Sequence, residues 1–197
     1  MLCAAFSAGF VDAIVGGGGM IQLPALLASY PGAAPPVLLG TNKLGSICGT
    51  AGAVMRYMRV VSVPWRLLLP AAAVAFLAAF AGASSVSAVS PAIFRPLVPI
   101  MLTVVLVYVR LYGFDFLHAS AGARTINVAT NAGALLFFGA HGEVQWVLGT
   151  ALGVCNTAGS VLGAHTAVKH GSKFVRVVFL AIVIALIAKT GADAWGL

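Results

Sequence analysis

Four consecutive glycines interrupt an apolar segment near the start of this chain, and a carboxylate lies one turn before them. The segment reads FVDAIVGGGGMIQLP, in which Asp12 precedes Gly16, Gly17, Gly18 and Gly19. Each glycine costs a helix about 1 kcal/mol relative to alanine, so four in succession predict a break. The half-helix after the break would present free backbone N–H groups, which bind anions. The alternative interpretation is that the glycines only allow close helix packing.

Two polar side chains flank the glycines. A carboxylate inside an apolar segment is costly unless it is paired or hydrated. Asp12 is therefore a candidate for proton coupling or, equally, a hydrogen-bond acceptor that holds the glycine backbone. Gln22 follows the break and is expected to direct its amide into the same region.

Cations and amides occur together at two other places. Arg124, Asn127 and Asn131 are three and four residues apart, so they lie on one face of a helix. Asn42 and Lys43 are adjacent near the start of an earlier segment. A cation with amide donors suits an oxyanion, because each oxygen needs a donor in place of lost water. In the alternative interpretation, Lys43 and Arg124 reach out to lipid headgroups.

The elements that position these residues are predicted to be membrane helices. Apolar residues make up 61% of the 197 residues and charged residues only 8%, against about a quarter charged in soluble domains. Uncharged runs cover residues 13–42, 67–94, 125–142 and 144–168, and each reaches the roughly 18 residues typical of a bilayer span. Lipid favours helices because they satisfy their own backbone groups. We therefore predict an all-α, polytopic membrane protein with a single transmembrane domain over residues 1–197.

The basic residues are placed to orient these helices. The formal net charge is +7, from 11 basic and 4 acidic residues. Because the basic residues fall between apolar runs, they predict topology, and no nucleic acid partner is expected. Two connections carry three basic residues each and are predicted to face the cytoplasm; their residues are Arg56, Arg59, Arg66, Lys169, Lys173 and Arg176.

The chain contains an internal repeat. A shift of 81 residues aligns residues 40–110 with 121–191 without a gap, placing Trp65 on Trp146 and Lys43 on Arg124. Each unit holds three predicted helices, which cover residues 39–57, 65–86 and 91–109 in the first unit and 121–138, 146–168 and 174–189 in the second. Because three is an odd number, the two copies would enter the membrane from opposite sides. Such inverted-topology repeats are typical of secondary transporters. The domain therefore divides into a broken helix segment, residues 1–39, repeat one, residues 40–110, and repeat two, residues 121–191.

These motifs resemble those of the TauE/SafE sulfite exporter family. The resemblance rests on AGFVDAIVGGGGMIQLPAL, LGTNKLGS, RTINVATNAGALLFF and LGAHTAVKHGSKFVR. It implies a multi-pass protein of the bacterial inner membrane that moves sulfite or other small sulfur-containing anions or organosulfonates. It also implies a central region formed by Asp12, Gly16, Gly17, Gly18, Gly19, Asn42, Lys43, Arg124, Asn127 and Asn131.

One departure from that family concerns the connection between the two repeats. Family members usually have a second glycine-interrupted segment there, whereas here only residues 111–120 separate the predicted fourth and fifth helices. Ten residues cannot cross a roughly 30 Å hydrocarbon core at about 1.5 Å per residue. Basic and uncharged connections still alternate on either side of the gap. This is expected if the absent element enters and leaves the membrane on the same face. By the same logic, the first broken segment is a candidate re-entrant pair.

We expect a secondary transporter of a small anion, driven by an ion or proton gradient. The lipid bilayer would surround it, and a homo-oligomer is compatible with the sequence. The alternative is a non-transporting membrane scaffold or subunit. No phosphate-binding loop, zinc-binding helix or nucleophile elbow occurs in the sequence. We therefore expect no enzymatic activity, no cofactor and no metal.

Overall fold

A computed structural model describes residues 1–85 and 116–195 of the chain, with side chains described for 1–85 and 117–185. The regular elements in these ranges are helices, which confirms the predicted all-α class. The helix Trp146–Trp195 is broken at Gly171, where φ is 72° and ψ is −175°. The predicted helix over residues 91–109 lies outside the described residues. The elements are α1 Leu2–Val15, α2 Gly19–Ser29, α3 Pro35–Tyr57, α4 Trp65–Ser84, α5 Phe116–Ala140 and α6 Trp146–Trp195.

Helices α4 and α6 start where the sequence predicts, and two other helix starts differ. The predicted interruption is present, since α1 ends at Val15 and α2 begins at Gly19. Helix α3 begins at Pro35 and not at Leu39, because proline suits the first helical turn, where its missing N–H is not needed. Helix α5 begins at Phe116, five residues before the predicted start, so residues 116–120 of the connection are helical.

Helices α1 and α2 form an antiparallel hairpin. A Cβ at Gly18 would collide with the Ala8 carbonyl oxygen and with Asp12, so the chain reverses immediately after α1. At the other end, the Ser29 hydroxyl donates to the Met1 sulfur at 3.1 Å. The helices have 14 and 11 residues, about 21 and 16 Å. Each is therefore shorter than a roughly 30 Å hydrocarbon core.

Helix α5 runs antiparallel to α3. Tyr57, at the end of α3, lies in one packed cluster with Ala121, near the start of α5. The middles of the two helices are joined by Lys43 and Asn131. Near its start, α3 contacts Phe138 of α5 through Gly40, so the contacts proceed in opposite directions along the two helices.

Two other helix pairs are parallel. Helix α6 packs along α3 from Leu44 against Gly149 to Gly52 against Thr157. Helix α4 packs along α5 in the same sense, and its contacts pair Leu68 with Gly122, Phe76 with Gly133 and Phe80 with Phe137. Helices α3 and α6 therefore point one way, and α4 and α5 point the other way.

Helix starts follow the register of the sequence repeat. Helices α3 and α5 begin at Pro35 and Phe116, and helices α4 and α6 begin at Trp65 and Trp146. Both pairs of starts are 81 residues apart, the shift found in the sequence. Helices that correspond in the two sequence repeats thus begin at equivalent residues.

The two basic connections lie at the same end of the bundle. Arg56, in the last turn of α3, places Nη2 2.7 Å from Nδ1 of His165 in α6. His165 lies four residues before Lys169, and Arg56 three before Arg59. Parallel packing of α3 on α6 thus brings together the charges that the sequence assigns to one face of the membrane.

Apolar side chains cover the outside of α4. Among the helices of the described residues, α4 is the one that is both long enough and apolar enough to cross a membrane by composition. Leu67, Val74 and Leu77 are 72%, 67% and 66% exposed, which suits contact with lipid chains. Helices α3 and α5 are longer, with 23 and 25 residues, but they carry the polar residues of the interior.

Helix α1 lies on α6 at backbone distance. A Cβ at Gly159 would occupy the position of the Phe6 carbonyl oxygen, and one at Gly163 that of the Phe10 carbonyl oxygen. Both glycines are buried. Small residues of this kind let helix backbones approach in the membrane, where close packing supplies much of the association energy.

We expect Gly159→Val to destabilise the protein by about 1–3 kcal/mol, because the added methyl groups must displace the α1 backbone. The matched control is Ala158→Val on the same helix, since Ala158 is exposed. Thermal unfolding of both variants in detergent, followed by tryptophan fluorescence, measures the difference. Equal midpoints would contradict the close packing of α1 on α6.

Candidate functional site

The break between α1 and α2 depends on two glycines with positive φ. Gly16 has φ 96° and ψ 172°, and Gly17 has φ 86°. The conformation of Gly16 is essentially restricted to glycine, because a Cβ would clash with the backbone. The predicted glycine break therefore occurs in a conformation that other residues adopt only with strain.

Asp12 closes this break by hydrogen bonding. Its carboxylate Oδ1 accepts the Gly18 N–H at 3.1 Å, and its main-chain carbonyl accepts the Gly16 N–H at 2.9 Å. The side chain is 9% exposed. Asp12 thus holds the backbone on both sides of the reversal, as one of the two sequence interpretations describes.

Two backbone donors remain at the start of α2. The N–H groups of Met20 and Ile21 bond to the carbonyls of Gly17 and Gly18, and Asp12 takes the Gly18 N–H. The N–H groups of Gly17 and Gly19 have no acceptor in residues 1–85 and 116–185. Gly17 is exposed, and a Cβ added there would meet nothing within 4 Å. The helix start therefore offers donors next to open space.

The Arg124 guanidinium lies against the break. A Cβ built at Gly16 would be 3.4 Å from Nη1 and 3.9 Å from Nη2 of Arg124. Arg124 is only 5% exposed, and its Nε has no hydrogen-bond partner in the described part of the chain. A buried guanidinium with an unused donor next to free backbone N–H groups is suited to an anion.

Asn42 and Lys43 approach from α3. The Asn42 amide nitrogen lies 3.9 Å from a Cβ built at Gly19, and its side-chain oxygen is buried without a partner among the described residues. Lys43 Nζ donates to Asn131 Oδ1 at 3.3 Å. Asn131 is 2% exposed. The Lys43–Asn131 hydrogen bond thus joins α3 to α5, and the Asn42 amide lies at the start of α2.

The two cations lie at matching depths. Lys43 and Arg124 each follow the start of their helix by eight residues, about 12 Å along the axis. Because α3 and α5 are antiparallel, the cations approach from opposite ends of the bundle. Both are therefore well inside their helices.

Gln22 and Asn127 have partners away from this group. Gln22 is fully buried, and its Oε1 accepts a hydrogen bond from Asn156 Nδ2 at 2.8 Å. Asn127 accepts hydrogen bonds from Thr130 of its own helix, at its main-chain oxygen and at Oδ1. Gln22 thus fixes α2 to α6, and Asn127 has a local contact.

Two polar residues of α6 were missed by the sequence analysis. Asn156 is 4% exposed and Ser160 is fully buried. The Ser160 hydroxyl lies 3.1 Å from the Gly9 carbonyl and 3.3 Å from Asn156 Oδ1. The sequence signal for Asn156 was its position as an amide inside the uncharged run 144–168, because a polar group in a membrane segment needs a partner within the protein.

Tyr57 anchors the end of α1 near the break and was also missed. Its fully buried hydroxyl donates to the Ala13 carbonyl at 2.8 Å. This carbonyl belongs to the last turn of α1, where no following turn supplies a backbone N–H that it could accept. The bond therefore joins the end of α1 to the end of α3.

Surface grooves lie elsewhere in the described residues. One of about 470 Å³ is lined by residues 145–148 and Ala151. Another of about 170 Å³ lies between the ends of α4 and α5 and includes His141 and Glu143. The candidate site is thus characterised by its converging donors.

Comparison with known proteins identifies relatives across the whole chain. The profile of the family described as Sulfite exporter TauE/SafE matches residues 1–111 and 103–190. The probable membrane transporter protein ORF9 of Sinorhizobium sp is 28% identical over 241 residues, covering 98% of this chain and 92% of the relative. The probable membrane transporter protein YfcA of Escherichia coli (strain K12) is 27% identical over 242 residues, covering 98% and 88%. No solved structure matches this chain.

These relatives contain residues that this chain lacks. The match to ORF9 runs over 241 positions, whereas this chain has 197 residues, so at least 44 aligned positions have no counterpart here. The family profile matches in two pieces that meet at residues 103–111. That junction adjoins the 111–120 connection, where the sequence predicts an absent segment.

We expect Gly16→Ala and Gly17→Ala to lower stability by about 1–3 kcal/mol each, because both residues have positive φ. Gly32→Ala is the matched control, since Gly32 lacks a positive φ and has open space around it. Thermal unfolding in detergent measures all three variants. A loss with Gly32→Ala as large as with Gly16→Ala would be inconsistent with the described break.

Proposed function

This chain belongs to the TauE/SafE sulfite exporter family, and on that premise we propose that it is a secondary transporter of a small anion. The substrate we propose is sulfite or a related sulfur oxyanion or organosulfonate, moved across the bacterial inner membrane. The names of the relatives, probable membrane transporter proteins, support membrane transport. The substrate class rests on the family description and on the chemistry of the donors.

The observation that carries this proposal is the Arg124 guanidinium beside the glycine break. An oxyanion at this point would meet a charged planar donor and the free N–H groups of Gly17 and Gly19. Helix starts favour negative charge through their backbone donors and dipole. Because Arg124 is buried, little water competes for its N–H groups, and its attraction to an anion is strengthened.

The surrounding polar residues have supporting roles in this proposal. Lys43 adds a second positive charge, and Asn131 holds its ammonium in place. Asn42 presents its amide at Gly19, and Asn127 follows Arg124 by one helical turn on the same face. Gln22 contributes by fixing α2 through Asn156.

The packing of the helices supports an inverted-topology repeat. Helices α3 and α5 occupy matching places in the sequence repeat and run antiparallel, as opposite insertion of the two units requires. The α1–α2 hairpin has its two ends together and helices too short to cross the bilayer, which supports a re-entrant element. In transporters of this kind, such elements meet near the midplane and the repeats move against each other.

The role we propose for Asp12 is to hold the break. Its carboxylate accepts a backbone N–H, and Lys43 is within its electrostatic range. An asparagine oxygen can accept the same hydrogen bond, whereas alanine cannot. Proton coupling requires an ionisable group. Substitution of Asp12 by asparagine, which keeps the acceptor and removes the ionisable group, therefore distinguishes proton coupling from this structural role.

Flux into vesicles containing only this purified chain tests the transport proposal. We expect sulfite flux to fall about tenfold or more in Arg124→Gln, because charged hydrogen bonds are worth about 1.5–3 kcal/mol. Lys43→Gln should give a smaller loss. Arg59→Gln is the matched control, since Arg59 is exposed in the connection after α3. Thermal unfolding of each variant confirms that folding is retained.

The result separates transport from the scaffold or subunit alternative. Undiminished flux in folded Arg124→Gln would overturn the proposed site. Flux that appears only when a partner protein is added would favour a subunit, an alternative supported by the absent 44 positions. Competition among sulfite, thiosulfate, an organosulfonate and a carboxylate then identifies the substrate class.

We expect Asp12→Asn to retain most of the flux and Asp12→Ala to lose it, because only asparagine can accept the Gly18 N–H. Flux is measured with and without an imposed proton gradient. Loss of gradient-driven flux in a stably folded Asp12→Asn would assign proton coupling to Asp12 instead.

A further inference from the structure

The charged side chains at the glycine break do not cancel one another. Asp12 and Arg124 are 9% and 5% exposed, and Lys43 is half-buried. The other charged side chains that the structure describes lie in connections, near helix ends or beside the Gly171 break. Two cations and one carboxylate therefore leave the region of the break with one net positive formal charge.

The three charges are close to one another without forming direct ion pairs. A Cβ built at Gly16 would lie 3.4 Å from Arg124 Nη1, and Asp12 accepts the Gly16 N–H through its main-chain carbonyl. Lys43 is within electrostatic range of Asp12. The Asp12 carboxylate bonds to backbone and the Lys43 ammonium to an amide. Within the described ranges, neither cation is thus neutralised by a direct contact with the carboxylate.

No other side chain described around the break adds a charge. The Tyr57 hydroxyl donates its proton to the Ala13 carbonyl at 2.8 Å, so it is neutral. The polar side chains that α2 and α6 place in the interior are amides and a hydroxyl, namely Gln22, Asn156 and Ser160. Because α1 ends where α2 begins, the opposite partial charges of the two helix ends offset each other. The described histidines are exposed.

This net charge bears on the charge of the ligand. The cost of moving an ion out of water grows with the square of its charge, whereas its attraction to a fixed protein charge grows only in proportion. A doubly charged anion therefore loses about fourfold more hydration free energy for about twofold more attraction. A singly charged anion also leaves the region neutral, which apolar surroundings favour.

We propose that the site selects singly charged anions over doubly charged ones, and that Asp12 sets this preference by neutralising one of the two cations. The inference rests on the proposed function and narrows its substrates. The favoured species are hydrogensulfite and organosulfonates, and the disfavoured species are the sulfite dianion and thiosulfate. Asp12 thus determines specificity in addition to holding the break.

Methanesulfonate and thiosulfate are matched probes, because each has three oxygens on a tetrahedral sulfur and thiosulfate carries one more negative charge. Isothermal titration calorimetry on the purified chain should give a dissociation constant lower by about tenfold or more for methanesulfonate. Sulfite affinity should fall as pH rises and hydrogensulfite loses its proton, whereas methanesulfonate affinity should stay constant. Equal affinities for the two probes, or tighter binding of thiosulfate, would overturn the proposal.

Asp12→Asn tests the role of the carboxylate, because it removes the charge and keeps an acceptor for the Gly18 N–H. The ratio of the two dissociation constants should shift about tenfold or more toward thiosulfate. Glu143→Gln is the matched control, since Glu143 is a carboxylate in the surface groove with His141 and should leave the ratio unchanged. An unchanged ratio in Asp12→Asn that unfolds at the parent's temperature would contradict the proposal.

Arg124→Gln separates this inference from the proposed function. Methanesulfonate binding that is undiminished in the folded variant would overturn the proposed site and the charge preference together. Binding that Arg124→Gln abolishes, with equal affinity of the parent chain for the two probes, would overturn the charge preference alone.

Discussion

A chain that leaves the helical conformation inside a bilayer must find partners for its freed backbone groups within the protein, because lipid offers none. Here that constraint is met by Asp12, whose carboxylate and main-chain carbonyl accept N–H groups on both sides of the reversal. Tyr57 supplies a donor to the last turn of α1. With these bonds in place, the N–H groups of Gly17 and Gly19 are the ones at the break that have no acceptor among the described residues.

A buried cation, Arg124, and a half-buried one, Lys43, lie beside this break. A charge inside the apolar region is unfavourable unless polar groups surround it. Lys43 has Asn131, and Arg124 lies against glycine backbone where no side chain blocks it. The absence of a Cβ at Gly16 permits the backbone reversal, and the Arg124 guanidinium lies beside that reversal.

The two sequence repeats give helices with matching starts but with different polar side chains. Helix α6 carries Asn156 and Ser160, which bond to the hairpin, whereas α4 carries alanine at the matching positions. The same 81-residue register therefore places buried polar side chains in one repeat and apolar side chains in the other.

The sequence by itself determined the helical class, the break at the glycines and the starts of α4 and α6. These depend on local properties, namely the apolar content of each run and the weak helix propensity of glycine. The family was also evident from residue patterns alone.

Only the tertiary structure decided which polar groups meet. Arg124 is far from Gly16 in sequence, and no local pattern specifies that its guanidinium packs there or that Gln22 pairs with Asn156. Asn127 shares a helix face with Arg124, yet it bonds to Thr130. Helix periodicity gives the direction of a side chain relative to its own axis, whereas its partner depends on how separate helices pack against each other.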